Sequence, residues 1–276
     1  TLVGSSSLTA TQLNTITASV TSTESSSNET TTVTANDNLT VEGITLDESG
    51  HLDSGESMVG TAGNDTLNVM DSDKDVQGSA TISAGAGDDI VNIDDDIEDT
   101  AQIDMGSGND TLNVGDDIRG TASIDMGTGD DTVHMKDTEG ETAEFKESAT
   151  IDFGEGLDTL IIEDDFDLNF DNLTLDGSSY NQLSNLEVID MQNGSGSNDL
   201  ENLDLSDVLH MTDDDNILKI LGDSGDEIGL NTEGSDAEWV KSDTQVSEDG
   251  EEFDVWTNSD NNATLFIDDD ITINDI

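Results

Sequence analysis

The chain has 276 residues and is strongly acidic. It contains 66 Asp and Glu residues against 6 Lys and Arg residues, so its formal net charge is −60 at pH 7. This charge excludes nucleic acid as a natural partner and disfavours anionic membrane surfaces. Cys and Pro are absent and only 3% of the residues are aromatic. Disulfides are therefore excluded, any core must be thin and aliphatic, and without a cation the composition approaches that of disordered chains.

Residues 1–58 are rich in Ser, Thr and Asn. The segments TITASV, TTTVTAN and LTVEGITL alternate in the manner of strands, which predicts a few strands that cap or begin the next region. A flexible linker is the alternative for residues 1–30. No apolar run approaches transmembrane length and no signal peptide opens the chain. We therefore expect a part of a larger protein, with no transmembrane segment.

One motif recurs five times between Val59 and Glu163. Its copies are GTAGNDTLNV (60–69), AGAGDDIVNI (84–93), MGSGNDTLNV (105–114), MGTGDDTVHM (126–135) and FGEGLDTLII (153–162). The last Asp of successive copies is separated by 24, 21, 21 and 27 residues. A recurring period of about 20–50 residues indicates a solenoid in which each copy forms one coil.

Each copy predicts two strands joined by a turn. Before the turn, Ala101, Ile103 and Met105 alternate with polar residues, and after it Leu112 and Val114 do the same. Alternate residues of a strand share one face, so these apolar side chains should point inward. The residues between them face outward: Asn68, Asn92, Asn113 and His134. The pattern predicts an all-β solenoid with a dry core of stacked apolar ladders.

The turn itself reads Gly-x-Gly-x-Asp in most copies. Glycine permits backbone angles that other residues avoid, and carbonyl plus carboxylate oxygens without His or Cys suit a hard cation such as Ca²⁺. Carboxylates stacked about 4.8 Å apart would repel by about 3 kcal/mol at an effective dielectric of 20, and a cation between turns would reverse that repulsion. Ordinary Gly-Asp turns in an acidic β protein are the alternative. The predicted calcium-binding residues are Asp65, Asp89, Asp110, Asp131, Asp158, Gly60, Gly63, Gly85, Gly87, Gly106, Gly108, Gly127, Gly129, Gly154, Gly156, Asn64, Asp88, Asn109 and Asp130.

These repeats resemble the RTX (repeats-in-toxin) nonapeptide, Gly-Gly-x-Gly-x-Asp-x-U-x, in which U is apolar. The chain departs from the pattern at the first Gly, which is Ala84, Met105, Met126 or Phe153. The nonapeptides are also not in tandem, since a second loop without the motif follows each one. The resemblance implies a calcium-bound parallel β-roll with calcium turns along one edge only, and about one ion for each pair of adjacent coils.

The loops opposite the glycine turns are acidic as well. Asp95, Asp96, Asp116 and Asp117 could hold a cation, but solvated loops are the favoured interpretation. Residues 71–82 begin like an EF-hand loop and then depart from it, with Val76 in place of Gly and Ile82 in place of Glu. The segment 136–150 lengthens one interval, and we expect it to loop out of its coil.

The sequence pattern changes in residues 164–276, where the glycine-turn repeat no longer recurs. Strands without glycine turns are followed by a short helix over Val208, Leu209 and Met211 with Ser206 as its cap, and then by an antiparallel meander from Trp239 onward. We expect Trp239, Phe253, Trp256 and Phe266 to form most of the core of this meander. The segments LEVID, LSDVL and GDSGD, a Trp strand and an apolar terminal strand follow in that order. This order resembles the C-terminal end of large bacterial adhesins exported by type I secretion, which implies an export signal at the extreme C-terminus.

We therefore predict three regions: 1–58 as a Ser/Thr-rich β segment or N-terminal cap, 59–163 as the RTX-like solenoid, and 164–276 as a β-rich C-terminal cap with the secretion signal. The expected function is a calcium-dependent folding and secretion module of a secreted adhesin at the bacterial cell surface. An ice- or surface-binding calcium solenoid and the non-catalytic module of a secreted enzyme are the alternatives.

The expected partners are calcium ions, the type I secretion machinery and an unidentified host-cell, glycan or surface ligand. The chain should be a monomer. We expect no enzyme activity, because His51, His134 and His210 are far apart in sequence and no nucleophile elbow or phosphate loop is present.

Overall fold

The computed structural model describes residues 19–21, 43–48, 50–70, 74–136, 145, 147–163, 167–170, 173, 182–192, 197–230, 239–248, 250–258 and 262–275. Within these ranges the chain forms strands and one helix. They are β1 (Ser19–Thr21), β2 (Thr45–Glu48), β3 (Ser57–Val59), β4 (Thr66–Val69), β5 (Thr81–Ala86), β6 (Ile90–Ile93), β7 (Gln102–Ser107), β8 (Thr111–Val114), β9 (Ser123–Asp125), β10 (Thr132–Lys136), β11 (Thr150–Asp152), β12 (Thr159–Glu163), β13 (Asp167–Asn169), β14 (Leu183–Ser184), β15 (Val188–Asp190), β16 (Asp199–Leu203), α1 (Leu205–Met211), β17 (Ile217–Leu221), β18 (Glu227–Leu230), β19 (Trp239–Glu248), β20 (Glu251–Asn258), β21 (Thr264–Asp268) and β22 (Thr272–Asp275).

These strands form three sheets in the described part of the chain. The first sheet has the order β1-β2-β4-β6-β8-β10-β12-β15-β17-β21-β20-β19, the second β14-β11-β9-β7-β5-β3, and the third β13-β16-β18-β22. The pairs are parallel except β19 with β20 and β20 with β21. In the repeat region each coil gives one strand to the second sheet and the next to the first. The predicted all-β parallel solenoid is confirmed.

The core consists of ladders of identical or similar side chains. In the first sheet Val91 pairs directly with Leu112, and Leu112 with Val133, and all three are fully buried. In the second sheet Ile103 pairs with Ile82 on one side and Ile124 on the other. A third ladder consists of single bridges between the coils, through Leu52, Val76, Ile97, Ile118 and Phe145. The predicted inward residues are therefore in the core, and Phe145 belongs to a coil although it lies in the segment expected to loop out.

The outward Asn residues of the first sheet form a ladder of their own. The Nδ2 group of Asn92 donates to Oδ1 of Asn68 at 2.7 Å, and that of Asn113 donates to Oδ1 of Asn92 at 2.8 Å. Asn68 in turn donates to Oδ1 of Asp47 at 2.7 Å. The amides predicted to face outward thus join neighbouring coils side by side.

Parallel stacking continues beyond Glu163, where we expected a β-rich C-terminal cap without glycine turns. Strands β15, β17 and β21 extend the first sheet with the same parallel pairing. Ile220 pairs with Ile267 and Leu218 with Leu265, and these buried residues prolong the apolar ladder. The predicted meander is confirmed for β19, β20 and β21, but β21 also pairs in parallel and β22 joins the third sheet.

Two Trp side chains pack at the C-terminal end of the solenoid. Trp239 is fully buried and Trp256 is nearly so, and both belong to the core cluster that contains Leu265 and Ile267. Because an open solenoid end exposes its last apolar coil, these rings are placed to cover it. Phe266, which we predicted in this core, is only half-buried, because it lies between Leu265 and Ile267 and faces the other side of β21.

The helix α1 is capped two residues earlier than predicted. Its N-cap is Asp204, whose Oδ1 accepts hydrogen bonds from the N–H of Ser206 at 2.7 Å and of Asp207 at 3.0 Å. Oδ2 of Asp207 accepts the N–H of Asp204 at 2.9 Å, which completes a capping box. The prediction of Ser206 as cap is wrong, since a carboxylate two residues earlier satisfies the free donors of the first turn. Within the described ranges no helix has the length and apolarity needed to cross a membrane.

Candidate metal-binding edge

The glycine turns of residues 84–89, 105–110, 126–131 and 153–158 share one backbone geometry. Both glycines of each turn have positive φ angles, between 95° and 157°. A Cβ atom at Gly106 would overlap the carbonyl oxygen of Gly85, and one at Gly108 would overlap that of Gly87. The same overlap recurs at Gly127, Gly129, Gly154 and Gly156. Glycine is thus required both by its backbone angle and by the carbonyl of the preceding coil.

The first turn, residues 60–65, has a different geometry. Gly60 and Gly63 are among the predicted calcium-binding glycines, but neither has a positive φ. The pairing of Val59 with Ser83 places Gly60 opposite Ala84 and Thr61 opposite Gly85. Gly60 therefore occupies the inward position of Ala84, because the first Gly of this copy is shifted by one residue. These two glycines do not share the turn conformation of the other eight.

The last Asp of each repeat forms a buried row of hydrogen bonds between the turns. Oδ1 of Asp110 accepts the backbone N–H of Asp89 at 2.8 Å, and Oδ1 of Asp131 accepts that of Asp110 at 2.7 Å. Asp89 and Asp158 make the same bond to the turn before them, at 2.7 Å and 2.8 Å. Each carboxylate therefore reaches back by one coil and fixes the turn that precedes it.

The second oxygen of four of these carboxylates has no hydrogen-bond partner. Oδ2 of Asp89, Asp110, Asp131 and Asp158 is buried without a donor in the described part of the chain. These residues are 1%, 1%, 1% and 0% exposed. Burial raises the pKa of Asp89 and Asp158 to about 7 and that of Asp110 and Asp131 to about 6, because the charged form is desolvated. An ionised carboxylate in this position needs a compensating positive charge.

The residue before each of these Asp residues forms a second, exposed row. Oδ1 of Asp88 accepts the N–H of Asn109 at 3.0 Å, and Oδ1 of Asn109 accepts that of Asp130 at 3.1 Å. Asn64 and Asp130 make the equivalent bonds, each at 3.0 Å, to the following turns. These bonds point forward along the solenoid, whereas the buried row points backward. Hydrogen bonds from backbone N–H groups to these side chains therefore hold neighbouring turns together in both directions without an ion.

The donor set fits a hard divalent cation. The candidate ligands at this edge are the carboxylate oxygens of the Asp row and the backbone carbonyl oxygens of the glycine turns, and Ca²⁺ accepts both kinds of oxygen in irregular shells. Asp89, Asp110, Asp131 and Asp158 would supply the charged oxygen through Oδ2, the atom that lacks a donor. In the exposed row, Asn64, Asp88, Asn109 and Asp130 already use Oδ1 in bonds between turns. The buried Asp row is thus the part of the predicted site that the structure brings together best.

The opposite edge, residues 74–78, 94–99 and 115–120, contains a protein cation. Nη2 of Arg119 lies 2.5 Å from Oδ2 of Asp96 and 2.6 Å from Oε2 of Glu98, while Nη1 lies 3.3 Å from Oδ2 of Asp117. The guanidinium thus bridges carboxylates of two successive coils. The repeat pattern does not indicate this role for Arg119, although it is one of only 6 basic residues.

Three carboxylates of the same edge lie close together, and Arg119 forms an ion pair with one of them, Asp96. Ligand atoms of Asp75, Asp95 and Asp96 lie within 4.8 Å of one another, and Oδ2 of Asp75 lies 3.1 Å from Nδ1 of His51. Clusters of this kind are common on acidic proteins without an ion. The predicted preference for solvated loops here stays a prediction. Asp71 and Asp73, of the EF-hand-like segment, lie outside the described residues.

The buried row ends at a residue that the repeat pattern did not indicate. Oε2 of Glu187 accepts the N–H of Asp158 at 3.0 Å, so a longer side chain takes the place of the next Asp. Desolvation raises the pKa of Glu187, and the backbone N–H groups of Asp158 and Asp213 oppose that rise. Only its position in LEVID, 29 residues after Asp158, could have indicated this role.

A comparison with models of protein families, with curated proteins and with solved structures found no match for this chain.

Proposed function

We propose that the glycine edge binds Ca²⁺ and that this binding drives folding of the solenoid. The observation that carries the proposal is the row of four buried Oδ2 atoms without a hydrogen-bond donor. A divalent cation beside each would neutralise a charge that the protein has already desolvated. Calcium is favoured over softer metals, because the candidate donors are oxygens only.

Ion binding should stabilise the folded chain because it relieves repulsion between carboxylates. The chain has a net charge of −60, and stacking the coils brings buried carboxylates into register. The unfolded chain separates these charges and presents no preformed site, so the free energy of ion binding adds to the free energy of folding. A weakly structured chain without calcium and a β solenoid with calcium are the expected states.

The proposal extends to a secreted module of the RTX type. Calcium is scarce in the cytosol and reaches millimolar levels outside cells, where weak extracellular sites have dissociation constants of about 10⁻⁴–10⁻³ M. A chain that folds only outside the cell remains loose enough to be exported. The order of the tail segments, from LEVID to the terminal strand β22, supports membership of the type I-secreted adhesins. The secretion machinery and a surface ligand of the adhesin are the proposed partners.

Calcium titration tests the folding proposal directly. The full chain is titrated with CaCl₂ from a chelator solution and followed by circular dichroism, with MgCl₂ as the matched control. We expect a cooperative gain of β structure with calcium and a much weaker response to magnesium, which demands a more regular octahedral shell. A spectrum that stays the same from chelator to millimolar calcium would contradict the proposal.

A further inference from the structure

The first glycine turn differs from the four that follow at one decisive residue. Later turns have a glycine with positive φ at the position four residues before the buried Asp: Gly85, Gly106, Gly127 and Gly154. The first turn has Thr61 there, and its φ is not positive. A β-branched residue adopts a positive φ only as a rare outlier. The substitution therefore fixes a different backbone path in the first turn.

Three protein donors contact Asp65, and two of them belong to Thr61. The backbone N–H of Thr61 donates to Oδ2 of Asp65, and the hydroxyl of Thr61 lies 3.0 Å from Oδ1. The N–H of Ile44 donates to Oδ1 at 2.6 Å. Both carboxylate oxygens of Asp65 are thus hydrogen-bonded, although Asp65 is as buried as the other four, at 1% exposure.

Only Asp65 in the buried row has its second oxygen satisfied by the protein. The other four carboxylates each accept a backbone N–H through Oδ1 and leave Oδ2 without a donor. Hydrogen bonds to a carboxylate stabilise its charged form much as a cation does. Asp65 therefore has no need of an ion, and a cation would have to displace the donors of Thr61.

We propose that Thr61 closes the first turn to cations, so that the ion row begins at Asp89 and contains four carboxylate sites instead of five. The inference rests on the proposed calcium binding and specifies which turns take part in it. At the other end of the row, Glu187 accepts the N–H of Asp158. Protein groups thus bound the row at both ends, and the first turn can stack on the segment of Ile44 without metal.

Two isosteric variants of the full chain, Asp65→Asn and Asp110→Asn, test this assignment by calcium counting. Flow dialysis at physiological ionic strength, where weak surface binding is screened, measures the ions bound at saturation. We expect Asp110→Asn to bind one ion fewer than the wild type, because it loses a charged ligand. Asp65→Asn should bind the same number as the wild type and have a lower midpoint of thermal unfolding.

The outcomes separate this inference from the proposed function. If Asp65→Asn loses an ion as Asp110→Asn does, the first turn binds calcium and the inference is wrong, while the proposed function stands. If the wild type binds no calcium above the background of its acidic surface, both are wrong. Should Asp65→Asn not fold in excess calcium, Thr61→Gly replaces it, because it gives the first turn the same residue as the four later turns. One ion more than the wild type supports the inference, and an unchanged or lower ion count overturns it.

Discussion

The two edges of the solenoid both stack carboxylates coil upon coil, but they differ in what faces those carboxylates. At the glycine edge, Asp89, Asp110 and Asp131 each leave one buried oxygen without a donor. At the opposite edge, the guanidinium of Arg119 contacts Asp96, Glu98 and Asp117. A covalently attached cation is present under all conditions, whereas a bound ion depends on its concentration. Under the proposed calcium binding, the stability of the glycine edge depends on the calcium concentration and that of the opposite edge does not.

The first prediction separates the edges by pH in the absence of metal. The folded-state pKa is raised from 3.8 to about 7 for Asp89 and Asp158 and to about 6 for Asp110 and Asp131. A raised carboxylate pKa stabilises the fold fully below the unfolded value and loses that contribution as pH rises through the folded value. In chelator we therefore expect β structure at about pH 4–5 that is lost as pH rises toward about 7. The free energy of unfolding should fall by several kcal/mol in total over this range.

Circular dichroism against pH, with and without calcium, measures this effect. The calcium-saturated chain is the control, since bound ions keep the carboxylates charged and its spectrum should stay constant from about pH 6 to 8. A transition in chelator near pH 4, where ordinary carboxylates titrate, would show that the buried row does not control the metal-free fold.

The second prediction concerns the carbonyls that crowd the glycine turns. Gly108→Ala places a Cβ on the carbonyl oxygen of Gly87 at a φ of 131°, so we expect a loss of at least about 3 kcal/mol in the free energy of unfolding. Gly55 has a φ of 84°, and no heavy atom lies within 4 Å of the position that a Cβ would take there. Its Ala variant is the matched control for backbone strain alone, worth about 1–2 kcal/mol. Urea unfolding in saturating calcium compares them, and equal losses would show that the carbonyl contact is unimportant.

The third prediction compares one carboxylate from each edge. Asp110→Asn should raise the calcium concentration at the folding midpoint by about twofold or more, since the loss of at least about 1.4 kcal/mol of ion binding is shared among the roughly four ions that fold the chain together. Asp117→Asn, next to Arg119, should lower stability by a similar amount at every calcium concentration. Urea unfolding at several calcium concentrations decides between them, because the slope of the unfolding free energy against the logarithm of the calcium concentration counts the ions bound on folding. Asp110→Asn should reduce this slope by one ion and Asp117→Asn should leave it unchanged. An equal reduction in both variants would mean that both edges bind metal.

The fourth prediction removes the protein cation of the opposite edge. The Arg119 side chain is 38% exposed, so solvent screening limits the loss in Arg119→Gln to about 1–2 kcal/mol. Lys136→Gln, at an exposed lysine of β10, is the control and should change stability by less than about 0.5 kcal/mol. Urea unfolding in saturating and in tenfold lower calcium provides the measurement. A loss in Arg119→Gln that additional calcium restores would show that this edge accepts metal as well.

The repeat pattern was sufficient to predict the coils, their inward residues and the glycine turns. Alternation with period two assigns a face to each residue of a strand, and this rule is local, so Ile103 and Leu112 could be placed without a structure. The Gly-x-Gly-x-Asp spacing likewise indicated which carboxylates line the edge. Aligning the copies also places Thr61 opposite Gly85. The sequence nevertheless predicts Gly60 as a calcium-binding glycine, because this copy has two glycines like the others but with a different spacing.

The sequence by itself determined the structure of a single coil, because the strand periodicity and the turn residues that define a coil lie within one repeat of about 20 residues. Only the tertiary structure decided which groups meet a given carboxylate. Stacking brings Arg119 to Glu98 across 21 residues and Glu187 to Asp158 across 29, and it joins the tail to the first sheet through β15, β17 and β21. The spacing of a motif fixes where a carboxylate lies, but the donors of the neighbouring coil determine whether it is satisfied. Asp65 and Asp110 occupy the same position in their repeats, and only the donors around them distinguish a carboxylate with both oxygens hydrogen-bonded from one with an oxygen left without a donor.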